Sequence, residues 1–364
     1  MKSFQTNRPV NICRSVILLQ KNYDLRMTIA ERVINPLTIR NSSSFVPRHS
    51  FLVIRNLLFF LFFTQTAYSQ RITLPFFDEF SQTKGPNPDP KLWLNGGVSI
   101  NNTFAINPPS ANIATFDGRN SAGLPYDFTN KLAYGQTDTL TSRPIDLSTS
   151  SAADSLILSF FWEARGLGEL PDNDDTLMVS FLNNKNKWIA VWKQQGVINN
   201  TFRQKLIQIK DTTFFHNNFQ FKFEAKGRQS GQFDTWHIDF VYLNKKRRLK
   251  DIYTQDVACR AINNTYLKRY SAMPMSQYLV NPAAEINPTI DVEISNLQKT
   301  ARIVNFTWEV SDTISKTIYV NNIGGNETIT APTTKAKTNK VVPITTFKQK
   351  NAVLKFKQLI TYEK

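Results

Sequence analysis

The sequence predicts an all-β protein made of two successive sandwiches, and three observations predict it. From Arg71 to Leu243 the chain is a series of short apolar-alternating runs separated by Gly, Pro, Asn and Asp clusters. Few of its segments carry a 3.6-residue period. Beyond a basic run at Lys245–Lys250, three more runs with strand alternation follow.

The first 50 residues show no sustained period; they hold a polar cluster, Asn41 to Ser44, and scattered arginines. No folded domain is expected there, and residues 1–50 read as a disordered or mis-started preamble, with Met27 an alternative start. The block Phe51 to Gln70, FLVIRNLLFFLFFTQTAYSQ, orders its features as basic (Arg48, Arg55), apolar (Leu57 to Phe63) and small (Ala67-Tyr68-Ser69). That order is how a signal peptide reads, with residues 51–69 removed and Gln70 the new N-terminus. A membrane anchor is the alternative, but the apolar stretch is short of the ~20 residues a spanning helix needs, and Arg55 and Asn56 interrupt it.

In the first sandwich, residues 70–243, Ser155 to Trp162 reads as a buried strand. Thr176–Phe181 and Lys187–Trp192 follow as strands joined by the turn Asn183 to Asn186. Phe219, Phe221 and Phe223 alternate with polar neighbours, as a half-buried strand does. Trp236, Ile238, Phe240 and Tyr242 alternate in the same way against His237, Asp239, Val241 and Leu243. Residues 244–252 form a basic linker. In residues 253–330, Thr289–Leu297, Ile303–Val310 and Lys316–Asn321 read as three strands of a partial immunoglobulin-like sandwich, a fold that usually takes about seven. Residues 331–364 are Lys- and Thr-rich and read as a tail, truncated or capping an edge.

The formal charge of +16 suggests a nucleic-acid or anionic-membrane partner only if it gathers on one face. Residues 1–69 hold nine Lys/Arg against two Asp/Glu, and residues 331–364 eight Lys against one Glu. Residues 70–330 hold 27 basic and 25 acidic residues, so the body is near neutral and no nucleic-acid partner is expected. Cys13 falls in the preamble, which leaves Cys259 alone in a body expected to lack a disulfide and to rely on its core or on metal.

For catalysis, the body has two histidines, His216 and His237, and neither lies beside a nucleophile motif. GxSxG and HExxH are absent. Glu163 is the best single carboxylate for a sandwich glycosidase, which needs a second carboxylate across a cleft. His237 reads as a structural hydrogen-bonder. The protein is therefore expected not to be an enzyme. The acidic run Asp172, Asp174 and Asp175 reads as a calcium loop or, alternatively, a solvated turn. Trp93, Trp162, Trp188, Trp192 and Trp236 are candidate sugar platforms, although most sit in strand patterns that suggest core.

The first sandwich resembles the MAM/concanavalin-like jelly-roll modules of large secreted or surface proteins of Bacteroidetes-type bacteria. The residues that carry the resemblance begin with Phe76-Phe77-Asp78-Glu79-Phe80, Trp93, and Asn107-Pro108-Pro109-Ser110. They continue with Ala114-Thr115-Phe116-Asp117-Gly118, Asp138 to Ser142, Gly166 to Asp172, and Asp234 to Asp239. It covers about residues 71–243 and implies a jelly-roll β-sandwich ahead of the partial immunoglobulin-like one. In related jelly rolls a calcium ion ties the first strand to the last, which here implies Asp78, Glu79 and Asp239. The lone acidic Asp239, read on the face of Val241 and Leu243, would need such a partner.

The expected function is a non-catalytic binding or adhesion module of a secreted, cell-surface protein, with a surface glycan or protein as ligand and the membrane met only through the signal peptide. A carbohydrate-binding accessory module of a polysaccharide-degrading system is the alternative, and a sandwich-fold glycoside hydrolase a third reading.

Overall fold

The computed structural model describes residues 10–20 (as backbone), 71–83, 85–199, 201–252 and 257–362. The expected signal segment, 51–69, lies outside these residues. In chain order the strands are β1 (Val10–Gln20), β2 (Phe76–Asp78), β3 (Trp93–Gly96), β4 (Ser99–Asn101), β5 (Ile113–Phe116), β6 (Tyr134–Ser142) and β7 (Ile157–Ala164). Next come β8 (Thr176–Leu182), β9 (Trp188–Gln195), β10 (Arg203–Gln208), β11 (Phe221–Arg228) and β12 (Trp236–Asn244). The remainder are β13 (Val257–Ile262), β14 (Ala272–Pro274), β15 (Thr289–Asn296), β16 (Arg302–Asp312), β17 (Ile318–Ile329), β18 (Thr333–Lys340) and β19 (Ala352–Tyr362). The protein is all-β.

The first sandwich has two antiparallel sheets. The back sheet runs β10-β7-β12-β5-β4, with β2 also paired to β12; the front sheet runs β3-β6-β11-β8-β9. From β3 onward the chain passes repeatedly between the sheets, so each strand buries one face against the other layer, as a jelly roll requires. The core between them is aromatic. The Phe160 ring meets Trp192 at 5.3 Å and Phe223 at 4.9 Å, and Phe76 meets Trp93 and Phe221 at 5.0 and 5.1 Å, mostly edge to face.

Alternation selects these faces except where bulges interrupt the pairing, between β12 and β7, β8 and β9, and β6 and β11. In β12 the register against β7 shifts between Asp239 and Tyr242, and Phe240 has φ +50°. Trp236, Ile238, Val241 and Leu243 therefore all reach the core, and Asp239 points away from it. The expectation that Asp239 shares a face with Val241 and Leu243 is thereby corrected: the extra residue inverts the phase. In β9 the register against β8 shifts between Val179 and Ser180. A spacing of four would put Trp188 and Trp192 on one face; the bulge sends Trp192 to the core and Trp188 out.

A second core lies between sheets β14-β1-β19-β16-β17 and β13-β15-β18. It contains Val292, Ile294, Val304, Phe306, Trp308, Leu354 and Phe356, with Trp308 stacked on Phe356 at 5.8 Å. The three expected strands are β15, β16 and β17. The expected tail is instead two strands: β18 pairs β15 along its whole length, and β19 pairs β16. In β19, Ala352, Leu354, Phe356, Ile360 and Tyr362 point inward at alternate positions, with lysines on the other face. The high Lys content hides that alternation in the text.

Within the segment expected to be unfolded, Val10–Gln20 forms β1, antiparallel to β19 over ten register pairs. A cleavage after Ser69 would remove that strand with the leader. Cys259 is disulfide-bonded. The expectation of a disulfide-free body is thereby corrected.

Truncating Phe160 or Phe356 to Ala removes a fully packed ring from one core each. Each substitution is expected to cost ~3–5 kcal/mol in denaturant unfolding; a loss below ~1 kcal/mol would contradict the assigned burial.

Candidate functional site

The outward faces of the first sandwich differ in kind. That of the back sheet is polar and covered. Glu163 on β7 and His237 on β12 are cross-strand partners with no solvent exposure, and Thr115 and Asp239 lie on the same face. The segment between β4 and β5 roofs them, because a buried polar layer must find hydrogen bonds. Asn101 Oδ1 accepts from the amides of Thr103 and Phe104 at 3.1 Å each, which leaves its amide to donate to Thr115 Oγ1 at 2.8 Å. Thr115 in turn meets His237 Nδ1 at 3.0 Å. His237 Nε2 must carry the proton, since it faces the Arg165 carbonyl at 3.3 Å. Gly166, with φ +57°, completes the enclosure: a Cβ there would stand 2.3 Å from the Phe104 carbonyl and 2.5 Å from His237 Nε2.

Glu163 Oε2 accepts the Ile106 amide at 3.0 Å, and its buried Oε1 has no hydrogen-bond partner. Burial lifts the Glu163 carboxyl to about 7 and depresses the His237 imidazole to about 4. His237 is thus neutral and structural, and Glu163 anchors the roof.

At the β2–β12 corner the structure gathers Asp78, Glu79 and Asp239, the residues expected to hold calcium. Their carboxylates do not converge. Asp78 takes the Trp93 indole N–H at 2.6 Å and the Phe80 amide at 2.8 Å, and burial raises it to about 6. Glu79 Oε1 accepts from the Ser81 hydroxyl at 2.6 Å. Asp239 is fully buried, accepts the Ser110 amide at 3.0 Å and the Phe240 amide at 2.7 Å, and has its carboxyl raised well above the usual range by burial.

Ser110, which the sequence reading passed over, stands at the centre. Its Oγ lies 2.8 Å from the Glu79 carbonyl, 3.0 Å from the Asn112 carbonyl, and 3.1 and 3.0 Å from the two Asp239 oxygens. A hydroxyl has one proton for these four acceptors. That surplus of carboxylate and carbonyl oxygen fits calcium in composition, with Glu79 contributing its carbonyl and Asp78 excluded. Among the described residues no three His, Cys, Asp or Glu side chains gather as a metal site.

The acidic run is a turn. The Asp172 amide donates to Asp175 Oδ2 at 2.5 Å, while Asp172 and Asp174 are exposed. Buried Asp175 faces Asp234, a residue the sequence reading missed, and the two carboxyls share a hydrogen bond; burial raises both.

The outer face of the front sheet is open, and cross-strand register lays it out in rows. Trp188 stands beside Leu182, and Ala190 lines up with Ser180, Lys222, Thr141 and Leu94. Lys193 lines up with Met178, Glu224 and Thr139, and Gln195 with Thr176, Lys226 and Gln136; Arg228 pairs Tyr134 at the far end. Of the tryptophan candidates, Trp93, Trp162 and Trp236 are buried and Trp192 packs on the core. Trp188 alone is exposed, at 38%, and Tyr134 at 44% is the aromatic at the other end. Lys222 Nζ sits 5.0 Å over the Trp188 ring and pairs with Glu224, while Lys226 Nζ sits 4.8 Å over Tyr134.

No family model matches the chain, and no curated protein matches it. Among solved structures, it is similar to an arabinose-bound MgGH51 α-L-arabinofuranosidase (11% identity, 48% of this chain and 27% of that one, TM-score 0.32). It is similar also to the C-terminal family 22 carbohydrate-binding module of Clostridium thermocellum Xyn10B (8%, 47% and 92%, TM-score 0.30). A third is the Caldicellulosiruptor saccharolyticus CBM27-1 module in complex with mannohexaose (14%, 46% and 95%, TM-score 0.30). The chain thus spans about a quarter of the arabinofuranosidase and nearly all of either module. Likenesses of this size carry no argument about what this chain binds.

Because the Glu163 carboxyl is raised in the fold, the unfolded chain releases its proton first, and the group's contribution to stability falls as pH climbs from ~4.3 towards 7. Glu163→Gln is expected to flatten that fall in midpoints measured between pH 4.5 and 7.5. An unchanged pH profile would show Glu163 ionised in the fold.

Proposed function

We propose that the chain is a non-catalytic, extracellular carbohydrate-binding module that holds a glycan on the outer face of the front sheet. The observation that carries this reading is Trp188, the one exposed tryptophan among the described residues, standing on an open face whose other end presents Tyr134. Flat rings at the two ends can pack on the apolar faces of sugars, and Thr139, Thr141, Gln136 and Gln195 between them can hydrogen-bond hydroxyls. Lys222 and Arg228 are ~20 Å apart along β11 at ~3.3 Å per residue, a span suited to an oligosaccharide.

A catalytic role has less to stand on. Glu163 sits under the roof, and His237 is tied into it at both nitrogens. Export through the apolar block at residues 51–69 is part of the proposal, as is a structural calcium between the Asp239 carboxylate and the Glu79 and Asn112 carbonyls. No chemistry on a ligand is assigned to that ion; it would fasten β2 and the Ser110 segment to β12.

On a glycan array followed by titration, Trp188→Ala is expected to weaken binding at least about fivefold with an unchanged unfolding midpoint. Equal binding by the variant would remove this face from consideration. For the ion, chelation with EGTA is expected to lower the midpoint by several degrees, in keeping with ~2.7 kcal/mol at a hundredfold excess over Kd. Asp239→Asn should abolish the difference, and no EGTA effect on the native chain would refute the calcium.

A further inference from the structure

Resting on the glycan-binding reading, we infer that the front face selects an anionic polysaccharide, one bearing carboxylates or sulfate esters, over neutral glycans. The outward positions of the sheet hold four cations, Lys193, Lys222, Lys226 and Arg228, against one acid, Glu224. Residues 70–330 as a whole are close to balanced, so this excess is local to the one open face that carries the aromatic pair. Three of the four come from alternate positions of a single strand, β11, and form a line along the middle of the sheet.

The placement of the cations matters as much as their number. Lys222 and Lys226 are held over the rings of Trp188 and Tyr134, so a sugar that approaches either ring meets an ammonium there. An acidic sugar stacking at either ring brings its anion to that ammonium. At Lys222 the sugar anion takes the place of Glu224, the sole acid on the face, as ion-pair partner. A neutral sugar would lie against these cations without adding a counter-charge to them.

The acids nearest the Tyr134 end do not cancel the pattern. Asp175 and Asp234 are buried and bonded to each other, and Asp172 and Asp174 belong to the turn preceding β8. The Tyr134 hydroxyl donates to the main-chain carbonyl of Asp174 and lies beside the Asp175 carboxyl. The line from Lys222 to Arg228 therefore keeps a net positive charge.

The test is titration of the full chain with polygalacturonate, a sulfated galactan, and neutral xylan and mannan at fixed ionic strength, each repeated at raised salt. The native protein is expected to bind one or both anionic polymers at least about tenfold tighter than the neutral ones, with affinity falling as salt rises. The two anionic arms tell carboxylate from sulfate. The double substitution Lys222→Gln/Lys226→Gln should cost about tenfold on the anionic polymer, the scale of two surface charge pairs, and abolish the preference over neutral glycans. If neutral glycans bind as tightly as anionic ones and the double variant is silent, glycan binding stands and anion selection is refuted. If no polymer binds, both fall. Binding retained by the lysine variant but lost in Trp188→Ala also refutes the inference, because stacking alone then accounts for affinity.

Discussion

The arrangement of the first sandwich depends on Asp239, a carboxylate placed where water cannot reach it. A charge or a polar group in that position is expensive unless donors or a cation surround it. The β12 bulge turns the side chain out of the apolar core, and the Ser110 segment supplies an amide and a hydroxyl to it. Ser110 then also reaches the carbonyl that follows β2, so one carboxylate joins the second strand, the last strand and the covering loop. Raising the Asp239 carboxyl by burial is the same constraint seen in its titration.

That roof decides which face of the sandwich is available. Once Asn101, Ile106 and Ser110 are committed to Thr115, Glu163 and Asp239, the outer face of the back sheet is an interior surface. The front sheet has no such cover, and its outward residues mix Lys, Gln and Thr with Leu94, Met178, Leu182 and the two partly exposed rings. A second bulge, in β9, divides its two tryptophans between the layers, so that Trp192 strengthens the core against Phe160 and Trp162 while Trp188 is left for the surface. The β12 bulge thus shapes the closed corner, and the β9 bulge, with a third between β6 and β11, shapes the open face.

The strands themselves were legible in the text, because period-two alternation survives wherever one face is buried. β7, β8, β9, β12, β15 and β16 fall within two residues of their expected bounds at nearly every end. What alternation cannot reveal is a phase shift, since a bulge leaves composition unchanged and moves every later side chain to the opposite face. Asp239 was assigned to the wrong face for that reason. Ser110 was quoted only as part of a resemblance, because nothing in a Pro-Pro-Ser sequence says which buried acid it will meet. Asp234 escaped for the same reason, as its partner Asp175 lies far off along the chain. The expected tail was misread because lysine carries a hydrophobic pattern poorly in a composition count; its positions, and not its number, mark β19.

The charge of the chain has a different meaning once the strands are placed. Lys355 and Lys357 in β19 alternate with Leu354 and Phe356, and Lys335 and Lys337 in β18 pair with Glu327 on β17. Basic residues there serve as the wet face of an amphipathic strand, which also discourages edge-to-edge association. Between those two strands the core keeps one polar contact: the Asn339 amide donates to buried Gln358 at 3.1 Å, and Gln358 donates onward to the Thr307 carbonyl at 3.1 Å. Such a pair costs stability in exchange for register, since a one-residue slip of either strand would leave buried amides without partners. The front sheet of the first sandwich differs in setting four cations against a single acid on one face. Where charge in the second sandwich is explained by solvation and pairing within the fold, the charge on the open face is left with capacity for a partner outside it.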